Sequence, residues 1–558
     1  VWDVVVVGAG VGGCYLAYRL QEDPDAVGRG PSGRNVALFE VSHRVGGRLW
    51  SAPLPGLTGP VAELGGMRFD RSEHHVVDLV AGLDLRGDVE PFWFGRPENL
   101  DYVRGTRLRQ RHILANSQEV PYALRESERG LGDDGLSSVV AEAAVPGFTA
   151  LRESRDRALR SGSSRVAAAI DARYRRARRS ATWQGRGLHE VSWAAVLDSV
   201  LSAEAAALAH DTGGYNRRES AGSAAGHLDG LFQAPRSGPC LRLRNGFQAV
   251  PRTLHRRFAA AGGTTFMGHR LVRLERASGR TGYRLIFVRS DRVSARRVDV
   301  LARTVLLALP TPAVRRLEPG VFPPDTDAFR HGLDSTRQVP AVKLFLRYPA
   351  AWWSRLGVSR GRSATDLPNR QLWYWDSPDH RDAGAAEAPG AVLAVYANGS
   401  ACRHWIEAAG GEPYPDRVSA HHGAVGASAR PGEVGCGAAD AADVAGRLVV
   451  ERAHAMLLEV HGIRDAPMPD AARWRDWSVD PYGGAWPVWR AGYDPDRVIP
   501  AMRRPLPGEP VFWVNDSWTP RPGSVQGVLE SAERVLRDHL RLPRPAWLRP
   551  YPLDWDLE

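Results

Sequence analysis

Lysine is almost missing from this chain of 558 residues: lysine and arginine together number 73, and Lys343 is the single lysine among them. Surface cations lose little when arginine replaces lysine, because both side chains carry one charge on an amphipathic stem. A confined site is different, since an ammonium is a compact donor that can hold a water or shift its pKa where a planar guanidinium does not fit. The lone lysine therefore marks either such a site or a chance survivor of a drift toward arginine. Cysteine is scarce as well. Cys14, Cys240, Cys402 and Cys436 form no C-x-x-C pair, which excludes a dense disulfide framework and fits a reducing compartment. The 17 histidines include no H-E-x-x-H and no companion cysteines at ligand spacing, so no metal is expected. No apolar run reaches the length of a membrane span. Val1 stands directly before the first strand, with no visible signal segment, so the expectation is a cytoplasmic protein without a membrane partner.

What is abundant is arginine, giving a formal charge of +10 and a pI near 9.7. The densest run, Arg173-Tyr174-Arg175-Arg176-Ala177-Arg178-Arg179, lies in an Arg/Ala/Ser-rich helical stretch and reads as a solvated face, because no nucleic-acid motif accompanies it. A hydrophobic content of 43% over this length supports two or three packed regions rather than one. No internal repeat is evident.

Val4 to Val7 form a β-branched run entering Gly8-Ala9-Gly10-Val11-Gly12-Gly13, followed by a helical pattern. Gly8, Gly10 and Gly13 match G-x-G-x-x-G: a tight turn, close backbone approach to a pyrophosphate at the helix N-terminus, and close helix-to-strand contact. A second strand, Asn35 to Phe39, ends in Glu40, a carboxylate placed to accept bonds from a ribose. The spacing is stretched by a polar loop from Gln21 to Arg34. Strand, turn, helix, strand and acid in this order predict a dinucleotide site. The alternating run Ala341 to Tyr348 predicts a strand with Lys343 on a face shared with Ala341 and Phe345.

Beyond the acid, Val41 to Leu49 resembles the second glycine motif of the flavin-dependent amine oxidase superfamily, with Gly47 allowing approach and Arg48 near the pyrophosphate. Ala62-Glu63-Leu64-Gly65-Gly66-Met67-Arg68 resembles the segment that passes along the flavin, and is most similar to L-amino-acid oxidases, in which the arginine clamps the substrate carboxylate; a guanidinium fork suits that task. The alternative for Arg68 is an ordinary pair with an acid such as Glu63. Thr365 to Tyr374 resembles the strand whose tyrosine adds a hydrogen bond to that carboxylate. This implies Tyr374, with Trp373 as second choice; the bland alternative is core packing. Trp477 to Trp489 resembles the substrate-facing loop, implying a carbonyl of Gly484 or Ala485 for the amine and Trp486 as a wall. It lacks the cysteine of covalent flavin attachment, so FAD is expected to be non-covalent. The lone lysine falls where the family holds a water against flavin N5, implying a catalytic Lys343. Arg270 to Leu274 resembles the strand that meets adenine, implying Leu271 and Val272. Asn515 to Val528 resembles the last flavin-binding turn and helix, implying Asp516 and Val525. In this segment the usual Gly-Glu pair is Asn515-Asp516, and Ser524 replaces an aromatic.

The resemblance implies an α/β fold with a Rossmann-like FAD-binding domain (1–75, 235–335, 470–558), a mixed-sheet substrate-binding domain (76–136, 336–469) and a helical cap (137–234). The region from Ala408 to Gly446 reads as a long excursion, and the Pro-rich tail after Leu542 as a surface segment. The implied activity is FAD-dependent oxidation of an L-amino acid by dioxygen to a 2-oxo acid, ammonia and hydrogen peroxide. Oxidation of a polyamine or biosynthetic intermediate, or flavin binding with little turnover, are the alternatives. No nucleic-acid partner is expected, and the resemblance is compatible with a homodimer.

Overall fold

The protein is described here as a computed structural model, which describes residues 1–22, 35–56, 61–115, 118–216, 222–234, 239–277, 282–290, 295–322, 327–377, 379–415, 443–479 and 481–550. Most of the loop expected at 21–34 and of the excursion expected at 408–446 lies outside the described residues, as does Cys436.

The β-branched run at the N-terminus forms the strand Trp2–Val7, which pairs in parallel with Val36–Phe39 on one side and with the long strand Ala295–Leu307 on the other. A parallel strand is covered on both faces, which is why Val4 to Val7 show no polar alternation and are all buried. Thr264–Phe266 and Val511–Trp513 add in parallel, while Tyr283–Ser290 and His269–Arg276 extend the sheet antiparallel, giving seven strands of mixed sense. Helix Val11–Glu22 packs on one face beside Ala249–Ala260 and Val525–Arg534. Phe39 joins the sheet's aromatic core, stacking on Phe266 at 4.6 Å and on Phe287 at 4.3 Å.

A second sheet of five strands runs in the order Gly361–Ala364, Gln371–Asp376, Gly390–Asn398, Ala341–Tyr348, Ala471–Asp476, with antiparallel ladders throughout. Its strand alternation separates two environments. Val342, Leu344 and Leu346 pack with Trp405, Val449 and Leu457 under the helices Ala401–Ala408 and Arg447–His461, whereas Phe345 packs with Trp373, Trp375 and Leu393 on the opposite face. Ala471–Asp476, within the piece expected from 470 onward to join the first sheet, pairs instead with Ala341–Tyr348 in this second sheet.

Helices from Asp133–Ala144 to Ala224–Gln233 form a third packed region around Phe148, Trp193 and Phe232. The arginine run lies on helix Ser164–Ser180, and only part of it is solvated. Tyr174 and Arg178, one turn apart, face inward, and Arg178 pairs with Asp229 at 3.2 Å and Asp496 at 3.3 Å. After Leu542 the chain covers the first helix, where Trp547 meets Tyr15 edge-on and Leu548 is buried. Among the described residues no helix is long and apolar enough to cross a membrane.

Candidate active site

A cavity of about 1330 Å³ runs from the Gly8 turn to the helical region. That exceeds the roughly 300–1,000 Å³ of a drug-sized ligand site, leaving room for a dinucleotide and a substrate.

At one end the glycines act in three ways. Gly8 has φ +101°, and a Cβ there would lie 2.5 Å from the Ala308 carbonyl oxygen. A Cβ at Gly13 would lie 1.7 Å from the Gly8 carbonyl oxygen, so the helix rests directly on the turn. Gly12 abuts Val528 on the C-terminal helix. At Gly10 a Cβ would meet nothing nearer than Gly47 Cα at 4.0 Å, and both residues line the cavity. This bare backbone at the N-terminus of helix Val11–Glu22 is a cradle for a diphosphate. The Ala9 carbonyl accepts from Gly46 N–H at 2.8 Å, joining the two glycine loops. Glu40 lies beside them, with Oε2 accepting from Ala9 N–H at 2.6 Å and Oε1 from Ser42 N–H and Oγ at 2.9 and 2.8 Å. Leu271 and Val272 line the same end. Val272 sits at a bulge, outside the ladder to Tyr283–Ser290.

The C-terminal turn closes this end. Asn515 Oδ1 accepts from Ser517 and Trp518 N–H, forming a turn that a glycine could not make with a side chain. Ser524, standing where the resemblance expects an aromatic, caps helix Val525–Arg534 by accepting from Gly527 N–H at 3.0 Å. Asp516 pairs with Arg48 at 2.5 Å, and Arg48 also donates to the Ala485 carbonyl at 3.0 Å. The Ala485 carbonyl, expected with that of Gly484 as a candidate for a substrate amine, accepts from Arg48 and keeps one lone pair. Gly484 packs against Gln338 and does not line the cavity, whereas Ala485 and Trp486 do.

At the other end, Gly65, Gly66, Met67 and Arg68 pass along the cavity wall. Lys343 is 3% exposed and lines the cavity, donating from Nζ to the carbonyls of Glu63 at 3.0 Å and Gly65 at 2.6 Å, 4.6 Å from the Tyr396 ring centre. An ammonium has three donors, so one remains for the cavity. Burial pulls the Lys343 ammonium down and pushes the Glu63 carboxyl up, and the attraction between them opposes both shifts. Arg68 stacks over Phe94 at 4.6 Å and Trp373 at 5.6 Å and donates to Cys240 Sγ at 3.4 Å. Glu63 is not its partner: that carboxylate accepts from Phe247 N–H and Ser51 Oγ. Among the described residues Arg68 forms no ion pair, leaving its charge to the cavity.

Tyr374 is the clearest correction. It is buried on the helix-covered face of the second sheet and does not line the cavity. Its neighbour Trp373 points the other way, stacking on Phe92 at 5.1 Å. Successive residues in a strand alternate faces, so choosing between neighbours decides the environment completely. The tyrosines that do line the cavity are Tyr482, whose hydroxyl accepts from Arg44 at 2.8 Å, Tyr396, opposite Lys343 in the ladder, and Tyr215, edge-on to Tyr396 at 5.6 Å and to Trp486 at 5.9 Å. The strand Gly390–Asn398 is apolar from Ala391 to Val395 and shows no alternation, so for Tyr396, as for Tyr215, Phe94 and Cys240, the sequence offers no signal.

Tyr374 instead serves stability. His461 Nδ1 donates to the Leu457 carbonyl at 2.7 Å, so Nε2 accepts from Tyr374 Oη at 2.8 Å, and Tyr374 Oη accepts from Ser363 at 3.0 Å. Burial holds this neutral imidazole down, at about 4 rather than 6.5. Between those values the unfolded chain binds a proton that the folded chain does not. Stability is therefore complete above pH 6.5 and is lost as pH falls toward 4, by up to about 3 kcal/mol. Urea midpoints measured across this range should fall less steeply in His461→Gln than in the parent; equal slopes would exclude His461 as the titrating group.

Residues 17–412 match the profile of the flavin-containing amine oxidoreductases. The chain belongs to that family. Its flavin is FAD, and the Gly8–Gly13 cradle with Glu40 fits a dinucleotide. This amine oxidoreductase is 26% identical over 571 residues to aplysianin-A of Aplysia kurodai, covering 97% of this chain and 90% of that protein. It is 25% identical over 528 residues to achacin of Lissachatina fulica, at 92% and 88% coverage. An L-amino-acid oxidase of Mus musculus is 24% identical over 383 residues, 66% of this chain and 51% of its own length. Among solved structures, a putrescine oxidase bound to putrescine superposes with a TM-score of 0.60 at 16% identity, over 96% of this chain and 98% of that one, a likeness of fold.

Proposed function

We propose that this amine oxidoreductase oxidises L-amino acids, and the observation that carries the reading is Arg68: a guanidinium on the cavity wall that forms no ion pair among the described residues. A fixed fork of donors suits a planar carboxylate, which two parallel charge-assisted bonds hold and orient. Similarity to L-amino-acid oxidases supports the same substrate class. The Gly8–Gly13 cradle and Glu40 would hold FAD, which would supply a two-electron acceptor for the substrate that dioxygen can reoxidise. The chain's own residues place the reactants. Arg68 binds the carboxylate, while Tyr215, Tyr396 and Trp486 wall the space beside it and exclude water. Lys343 directs its remaining N–H into the cavity, where it holds a water. The products are a 2-oxo acid, ammonia and hydrogen peroxide, and catalysis rests on placement together with the cofactor's electron chemistry.

The purified protein should be yellow, should release peroxide with members of a panel of twenty L-amino acids, and should lose its flavin on acid denaturation. The loop from Pro481 to Trp489 has no cysteine, and Cys240 is the cavity-lining cysteine among the described residues. Flavin remaining with the denatured polypeptide would refute non-covalent binding. Peroxide from amines alone would move the assignment to amine oxidation, and bound flavin without peroxide would make this a flavin-binding protein.

A further inference from the structure

The cavity extends past Arg68 into a lobe beneath the helical region, lined by Phe94, Asp101, Gln110, Asp133, Asp134 and Arg362 among others. Asp101, on the strand Leu100–Val103, is 3% exposed and faces this lobe. Both its hydrogen bonds fall on one oxygen: Oδ1 accepts from Gln110 Nε2 at 3.0 Å and from Ala364 N–H at 2.8 Å. Among the described residues Oδ2 has no donor. Burial pushes this carboxyl up to about 6, which leaves it ionised at neutral pH. A buried carboxylate with an unmet oxygen is costly unless the cavity contents supply a donor.

Asp101 is linked to the Arg68 wall by a short chain of contacts. Gln110 Nε2 donates also to the Arg362 carbonyl at 2.9 Å, and Arg362 N–H donates to the Phe94 carbonyl at 2.7 Å. The Phe94 ring lies 4.6 Å from the Arg68 guanidinium and 4.7 Å from that of Arg362. Arg362 directs its terminal nitrogens to the carbonyls of Gly213 at 2.7 Å and Thr212 at 3.0 Å, so it attracts the Asp101 carboxylate by charge without donating to Oδ2. Asp133 and Asp134, which open helix Asp133–Ala144, add negative charge to the same lobe.

We propose that Asp101 is the distal anchor of the substrate site and accepts the cationic end of a basic L-amino acid, of the lysine, ornithine and arginine class. This rests on the L-amino-acid reading, with Arg68 at the carboxylate. An ammonium or guanidinium reaching Oδ2 supplies the missing donor and adds a positive charge to that of Arg362. An apolar side chain leaves Oδ2 to water, and an acidic one is repelled.

The test compares kcat/KM of the holoenzyme for L-lysine, L-norleucine and L-glutamate. Norleucine matches the lysine chain without its terminal ammonium. The wild type should prefer lysine to norleucine and norleucine to glutamate; no preference for lysine overturns the proposal whether or not any variant folds. Asp101→Asn keeps Oδ1 for Gln110 and Ala364 and removes only the charge, so the lysine-to-norleucine ratio should fall by about tenfold or more. An unchanged ratio would overturn the assignment. If only amines are oxidised, the carboxylate reading fails separately, and cadaverine against pentylamine decides Asp101: a ratio that falls in the variant supports the anchor, and an unchanged one overturns it.

Discussion

Arg68→Met is expected to raise KM for an amino acid by about a hundredfold to several thousandfold, the cost of losing one buried charge-assisted pair worth roughly 3–5 kcal/mol. The matching amine, which lacks the carboxylate, should suffer far less. This contrast is needed because Arg68 also packs. Its guanidinium lies over Phe94 and Trp373 and donates to Cys240, so methionine removes stacking as well as charge. Loss of packing would harm both substrates alike, and only a missing carboxylate contact separates them. Arg68→Lys sharpens the test by keeping a charge while losing the fork, and should recover only part of the binding. Steady-state kinetics on the acid and amine pair decide it: equal losses make Arg68 structural and remove the main support for an amino-acid substrate.

The parts of the site legible in the sequence are those whose chemistry depends on near neighbours. The Gly8 to Gly13 cradle is local, since each glycine is demanded by contacts the turn and its helix make with adjoining strands, and Glu40 follows at the end of the next parallel strand. Lys343 stood out because a residue type survives once, which needs no knowledge of the fold. Where two loops meet, sequence reading gave out. The sequence offers the Gly484 or Ala485 carbonyl to a substrate amine but gives no sign that Arg48, over 400 residues earlier, donates to Ala485. Tyr374 failed by one residue, because strand parity turns Trp373 toward the cavity side and Tyr374 toward His461. Asp101 and Tyr215 come from segments that no motif marks, and they reach the cavity only through the packing of the helical region against the second sheet.

Lys343→Met and Lys343→Arg should both slow flavin chemistry, by about a hundredfold where the lysine handles a proton through its water. The reason is the space around Nζ. Two carbonyls, of Glu63 and Gly65, and the Tyr396 ring enclose a single ammonium, and a guanidinium, whose planar head reaches one atom further, overfills that pocket. Methionine fits but brings no donor. It also leaves the two carbonyls without their partner and the buried Glu63 carboxylate with only the weaker attraction of Arg242, so the Met variant should fold with a stability loss of about 1–3 kcal/mol. Glu63→Gln combined with Lys343→Met removes both charges and should regain part of that loss, which a thermal melt would show. Stopped-flow absorbance separates flavin reduction by substrate from reoxidation by oxygen and identifies the half-reaction that uses the lysine. If the Arg variant ran both half-reactions at the wild-type rate, the position would have no need of an ammonium, and the survival of one lysine among so many arginines would be chance.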